Sequence, residues 1–218
     1  MRKRIWALGA AVLLAAPVQA ETLTLTAMGD SLTQGYGLQQ HEGFVPVLQE
    51  WLTARGHDVV VINAGVSGDT TAGGLSRIDW TLADAPDALI VALGGNDLLR
   101  GIDPAASRAN LDGVAKAAAE AGVPTLIAGL PAPGNYGAEF QRDFETMFRD
   151  AAEARGALHY PNFLQPMQDK QDAGQSFADL MQNDRIHPNA EGVRLIVEAM
   201  GPAVEDLLAR AREAGAGG

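Results

Sequence analysis

The sequence predicts an α/β fold: five strands in a doubly wound parallel sheet with helices on both faces. Three observations lead there. Apolar residues alternate between strand-like and helix-like periods along the chain. Residues 59–62 form a continuous β-branched run, which suits a strand buried on both faces, as in a parallel sheet. No internal repeat and no linker composition breaks the 218 residues, so a single domain follows the N-terminal segment.

The elements follow in order. Leu23, Leu25 and Ala27 alternate with Thr22, Thr24 and Thr26 and give the first strand. Phe44, Val47, Leu48, Trp51 and Leu52 fall on one face of a helix, with Pro46 tolerated in its first turn and Gly56 as its stop. The β-branched run is the second strand. Leu75, Ile78 and Leu82 mark the next helix, and residues 88–93 the third strand. Leu111, Val114, Ala115 and Ala118 mark a helix ended by Gly122, before a fourth strand at 125–128. Phe140, Phe144, Met147, Phe148 and Ala151 make a strong stripe ended by Gly156, and 158–160 is a short fifth strand. Residues 161–183 lack a period and are expected to be a long loop with one turn of helix. The last stripe runs from Val193 to Leu208, where Gly201-Pro202 is expected to kink or split the helix. The small residues at 214–218 are expected to fray.

Composition removes several function classes. Lys and Arg number 16 and Asp and Glu 27, for a net charge of −11. Nucleic-acid binding needs a basic face and is excluded, and attachment to anionic lipid is disfavoured. There is no cysteine, hence no disulfide, thiolate metal site or Cys nucleophile. Arg2, Lys3 and Arg4, an uncharged apolar run over residues 5–16, and Pro17-Val18-Gln19-Ala20 have the three parts of a secretory signal peptide. That run is shorter than the ~20 residues needed to span a bilayer. The expectation is a leader at 1–20, cleaved after Ala20, a single domain at 21–218, export to a bacterial periplasm or medium, and no stable membrane insertion.

In a doubly wound sheet the ligand site lies beyond the carboxyl ends of the strands. Four polar segments fall there or at a helix start: Gly29-Asp30-Ser31-Leu32, the loop from Asn63 to Asp69, Gly94-Gly95-Asn96-Asp97, and Asp184-Arg185-Ile186-His187-Pro188. Acyl transfer needs a hydroxyl nucleophile, a base, a group orienting that base, and donors to the oxyanion. Ser31 sits at a strand-to-helix turn and can be the nucleophile. His187 can be the base, and Asp184, three residues earlier, can fold back to its Nδ1. The Ser31 N–H, a backbone N–H of the loop containing Gly68 and the Asn96 amide can face the oxyanion. Each segment alone is more often a plain turn; their joint order carries the weight.

These blocks resemble the SGNH, or GDSL, hydrolase family. Ser31 stands in its nucleophile position, Gly68 and Asn96 in its oxyanion positions, and Asp184 and His187 in its last block. Ser67-Gly68-Asp69-Thr70, the stretch from Met28 to Tyr36 and Leu130-Pro131-Ala132-Pro133-Gly134-Asn135-Tyr136-Gly137 look like the bacterial thioesterase I, lysophospholipase and arylesterase branch. The resemblance implies a flavodoxin-like three-layer αβα sandwich and hydrolysis of a small-molecule acyl ester or thioester, with no cofactor or metal.

Asp30, Asp97, Pro133 and Tyr136 are candidates for the substrate cleft. For the two carboxylates the competing role is local hydrogen bonding to loop N–H groups. Asp69 is expected to cap the helix that starts near Thr70. Trp80 is weighed between cleft and packing, with packing favoured. His41, His57 and His159 lack neighbours at metal-ligand spacing. The loops at 33–43, 130–139 and 161–183 are expected to shape the cleft. Alternatives on the same site are a lysophospholipase, a polysaccharide O-deacetylase, a metal hydrolase, or a binding protein without catalysis. The oligomeric state is expected to be a monomer or weak dimer.

Overall fold

A computed structural model describes residues 22–216. The expected leader at 1–20, its cleavage point and the last two residues of the tail lie outside the described residues. Five strands, β1 (Leu23–Gly29), β2 (Val59–Gly65), β3 (Ala88–Ala92), β4 (Thr125–Ala128) and β5 (Leu158–Tyr160), form one parallel sheet in the order β2-β1-β3-β4-β5. The order reverses between β1 and β3, and that is where a doubly wound sheet opens a crevice.

Helices cover both faces. On one lie α1 (Ser31–Gln34), α2 (Phe44–Ala54), α7 (Gln165–Asp172) and α8 (Ala190–Ala216). On the other lie α3 (Thr71–Ala83), α5 (Pro104–Glu120) and α6 (Ala138–Arg155). A short α4 (Gly95–Leu99) follows β3 directly. The core is continuous through both layers. Leu25, Met28, Leu89 and Ile90 of the sheet share one buried cluster with Leu48 of α2, Val204 of α8, Leu111 of α5 and Phe148 of α6.

Three expectations need correcting. The β-branched second strand is the sheet edge, with Val60 46% and Ile62 42% exposed, so its run does not report burial on both faces. The strand with alternating threonines is instead central: Thr26 is buried, because helices cover both faces of β1. α8 runs 27 residues through Pro202 without a break. Proline forfeits one helical hydrogen bond there. The buried Met200, Val204, Leu207 and Leu208 on either side hold the helix to the core, and the Trp51 indole lies against Gly201 too closely to admit a Cβ. The aperiodic stretch after β5 contains the two-turn α7 and a 3₁₀ turn at Phe177–Leu180, not a single turn. Most of α7 is solvated and only Met167 of it is buried, which leaves no apolar stripe to read.

The open edge of β2 is blunted by one side chain. Gln49 of α2 donates through Nε2 to the Val59 carbonyl at 2.9 Å and accepts from the Val61 N–H through Oε1 at 2.8 Å. A side-chain amide thus takes the two backbone bonds that another strand would make there.

Candidate active site

The crevice at the β1–β3 switch point is built from the ends of both strands. Gly29 ends β1 so close to Thr33 and the Ala92 carbonyl that a Cβ would overlap both. This close approach lets the chain turn from β1 straight into α1. Asp30 caps α1, its Oδ1 accepting from the Leu32 N–H at 3.0 Å, and Ser31 becomes the first helical residue. Asn96 enters the same crevice from the first turn of α4, after β3. Gly68, at φ +81°, brings the loop after β2 to its wall. Arg100 at the end of α4 donates to the Gly68 carbonyl at 2.7 Å and ties that loop down.

The loop before α8 supplies the rest. Asn189 caps α8, accepting from the Glu191 and Gly192 N–H groups at 3.0 and 3.1 Å, and so fixes the start of the helix beside the crevice. Asp184 folds back on its own loop: Oδ1 accepts from the N–H groups of Ile186 at 2.9 Å and His187 at 3.0 Å. Its Oδ2 lies 2.7 Å from His187 Nδ1. The His187 hydrogen bond first, and then the two N–H groups, hold this carboxyl down at about 2, so it is ionised and only accepts. His187 Nδ1 therefore donates to Asp184, and Nε2 on the other side of the ring lies 2.8 Å from Ser31 Oγ. The Tyr36 ring lies 4.8 Å from the imidazole, centroid to centroid. Ser31, His187 and Asp184 thus form one hydrogen-bonded chain.

Asp30 is 2% exposed, and burial pushes its carboxyl up to about 6 against the opposing pull of the Leu32 N–H, His187 and Asn96. Its Oδ2 accepts from Asn96 Nδ2 at 3.3 Å. Ser31, Gly68, Asn96, His187 and Asp30 all line one cavity of about 680 Å³. Its remaining walls are mostly apolar, with Leu98 and Leu99 on one side, Leu130 to Pro133 on another, and Leu164, Phe177, Met181 and Ile186 across. The loops at 33–43, 130–139 and 161–183 each contribute, through Tyr36, Pro133 and Phe177 among others.

Two of the four cleft candidates lie elsewhere. Asp97, 1% exposed, is turned away from the cavity and accepts from the Thr71 N–H at 2.9 Å, Thr71 Oγ1 at 2.5 Å and Ser107 Oγ at 2.7 Å. It ties α3 and α5 to α4, a longer reach than the local turn bonding expected of it. Tyr136 stacks on Phe140, 4.8 Å between centroids, outside the cavity lining. The cap of α3 is Thr70, accepting from the Gly73 N–H at 3.2 Å, while Asp69 pairs with Arg77 at 2.8 Å. Trp80 is 72% exposed and lines no part of the cavity. His57 pairs with Glu205 at 2.8 Å. Among the described residues no three His, Cys, Asp or Glu side chains come together as a metal site, and no helix is long and apolar enough to cross a membrane. Sequence reasoning missed Arg100, whose contact with Gly68 crosses 32 residues and leaves no local signal.

The chain is similar to known proteins over most of its length. The profile of the GDSL-like lipase/acylhydrolase family matches residues 27–195. The chain is 37% identical over 191 residues to esterase TesA of Pseudomonas aeruginosa, covering 87% of this chain and 92% of that one. It is 31% identical over 175 residues to an arylesterase of Vibrio mimicus, covering 80% of this chain and 84% of that one. The psychrotrophic esterase EstA of Pseudoalteromonas, solved as inhibited by monoethylphosphonate, superposes with a TM-score of 0.76 at 35% identity, covering 85% of this chain and 98% of that one.

Proposed function

Because the chain belongs to the GDSL-like lipase/acylhydrolase family, whose members compared above are esterases, we propose that it is an exported serine esterase for aryl or short- to medium-chain acyl esters, thioesters included. The observation that carries the reading is the continuous chain from Ser31 Oγ through His187 to Asp184, with Ser31 and His187 in the wall of a largely apolar cavity. His187 Nε2 takes the Ser31 proton as Oγ attacks the acyl carbon. Asp184 stabilises the imidazolium so formed. The Ser31 and Gly68 N–H groups and the Asn96 amide receive the oxyanion, where donors already in place act without reorganisation. His187 then protonates the leaving alcohol, and the acyl group stays on Ser31. Water enters, gives its proton to Nε2 and attacks the acyl-enzyme, and Ser31 leaves with its proton restored.

The apolar walls favour an acyl tail over a sugar, which places polysaccharide deacetylation second. A phosphonate-inhibited structural neighbour adds support, since a tetrahedral phosphonate has the shape of the acyl-transfer intermediate. Hydrolysis of p-nitrophenyl esters from acetate to palmitate tests the reading. Ser31→Ala and His187→Ala should each lower kcat by a factor on the order of 10⁶, because the set acts as a unit. Equal activity of Ser31→Ala and the wild type would sink it.

A further inference from the structure

Arg185 stands between Asp184 and His187 in the loop described above, and it is out of place there. Its φ is +57°, the left-handed region that glycine and asparagine enter easily and a long side chain does not. Its N–H donates to the Gln182 carbonyl at 3.0 Å, so the turn is closed by backbone, and Arg185 makes no side-chain hydrogen bond or ion pair among the described residues. Other arginines nearby are engaged: Arg77 with Asp69, Arg100 with the Gly68 carbonyl. Yet the Arg185 side chain, exposed, forms part of the catalytic cavity wall. The other titratable groups of that wall with charge to offer are Asp30, buried and bonded to the Leu32 N–H and Asn96, and His187, bonded to Asp184 and Ser31.

A guanidinium left free at the mouth of an apolar cavity, in a chain of net charge −11, is a local exception to the field around it. An anionic molecule is repelled by such a protein at long range and held at this point by a planar fork of donors. We infer that Arg185 is a specificity-determining residue, selecting esters that carry a singly charged anionic group, a carboxylate, which it binds while the ester carbonyl sits at Ser31. One cation neutralises one carboxylate; a phosphate monoester, doubly charged, would leave an uncompensated charge in an acidic surrounding, and a carboxylate matches the planar fork of the guanidinium. The inference rests on the esterase reading and names its substrate class.

The test compares p-nitrophenyl valerate with mono-p-nitrophenyl glutarate, two esters of the same chain length that differ by a terminal carboxylate. Arg185→Asn suits the left-handed backbone and removes the charge. It should lower kcat/KM for the glutarate about tenfold relative to its effect on the valerate. Arg185→Glu should lower that ratio further, Arg185→Lys should keep part of it, and salt should narrow the wild-type preference. A glutarate-to-valerate ratio unchanged in Arg185→Asn overturns the inference. So does an equal fall on both esters, which would mark a residue that only shapes the loop. If Arg185→Asn fails to fold, Arg185→Lys and Arg185→Glu decide, and an equal ratio in those two overturns it as well. Failure of the wild type to cleave either ester overturns the esterase reading itself, and with it this one.

Discussion

Asp30 shows how one side chain serves two ends of a site. Its Oδ1 fixes the turn that presents Ser31, and its Oδ2 holds the Asn96 amide. The carboxylate is kept at a cost, because burial raises the folded-state value to about 6 from 3.8. A carboxyl raised on folding makes the folded state bind more protons between those two values. Its contribution to stability is therefore best below 3.8 and declines as pH rises through 6. Asp30→Asn removes that ionisation while turning an amide toward the Asn96 amide. At pH 8 its melting temperature should equal or exceed that of the wild type, while kcat falls about 10- to 100-fold as Asn96, the proposed oxyanion donor, loses its orientation. Calorimetry beside steady-state kinetics checks both halves; a lowered melting temperature with intact kcat would contradict it. The first half of this role was legible in the sequence, since an Asp before a helix start is a local cap. The second was not, because Asn96 lies 66 residues away and only the adjacency of β1 and β3 brings it near.

Among elements, the helix starts around the crevice are joined by Asp97. Its carboxylate holds the N–H and hydroxyl of Thr71 at the start of α3 and the hydroxyl of Ser107 in α5, with Asn110 donating to Thr71 Oγ1 at 3.1 Å. Asp97→Ala leaves these buried donors without acceptors, so unfolding in urea should show a loss of about 2–4 kcal/mol, with kcat per folded molecule nearly unchanged. A large kcat loss at full stability would mean that Asp97 belongs to the chemistry. Elements with a strong period were readable: the phenylalanine stripe of α6 and the apolar β3 stand out because their burial is dictated locally. Position in the sheet was not readable in the same way. Edge and central strands share β-branched composition, and the crossover order that makes β2 an edge is a property of the whole sheet. For α7 the reason differs: it lines the cavity through Gln168, next to its cap Leu164, but has little surface of its own to bury. Ser31, Asp184 and His187 stood out in the sequence because each sits at a turn whose bonds are local.

For the molecule as a whole, the β2 edge of the sheet is guarded against strand pairing by a side chain. Gln49 occupies the two backbone groups at Val59 and Val61. Gln49→Ala should free them and raise self-association at high concentration, despite the mutual repulsion of acidic chains. Sedimentation velocity of wild type and variant at matched concentrations reads this directly, and identical monomer profiles would show that the edge is protected by other means. A different consequence follows from where the chain places its reactive pieces. Ser31 and His187 are 156 residues apart and meet only when β1 and the loop before α8 are both in position. The exposed turn at Gly134–Tyr136 lies between them in sequence. A chain cut there has Ser31, Gly68 and Asn96 on one piece and Asp184 and His187 on the other. On the proposed mechanism the two pieces work as a logical AND, and turnover of a coloured ester becomes a readout of their reunion.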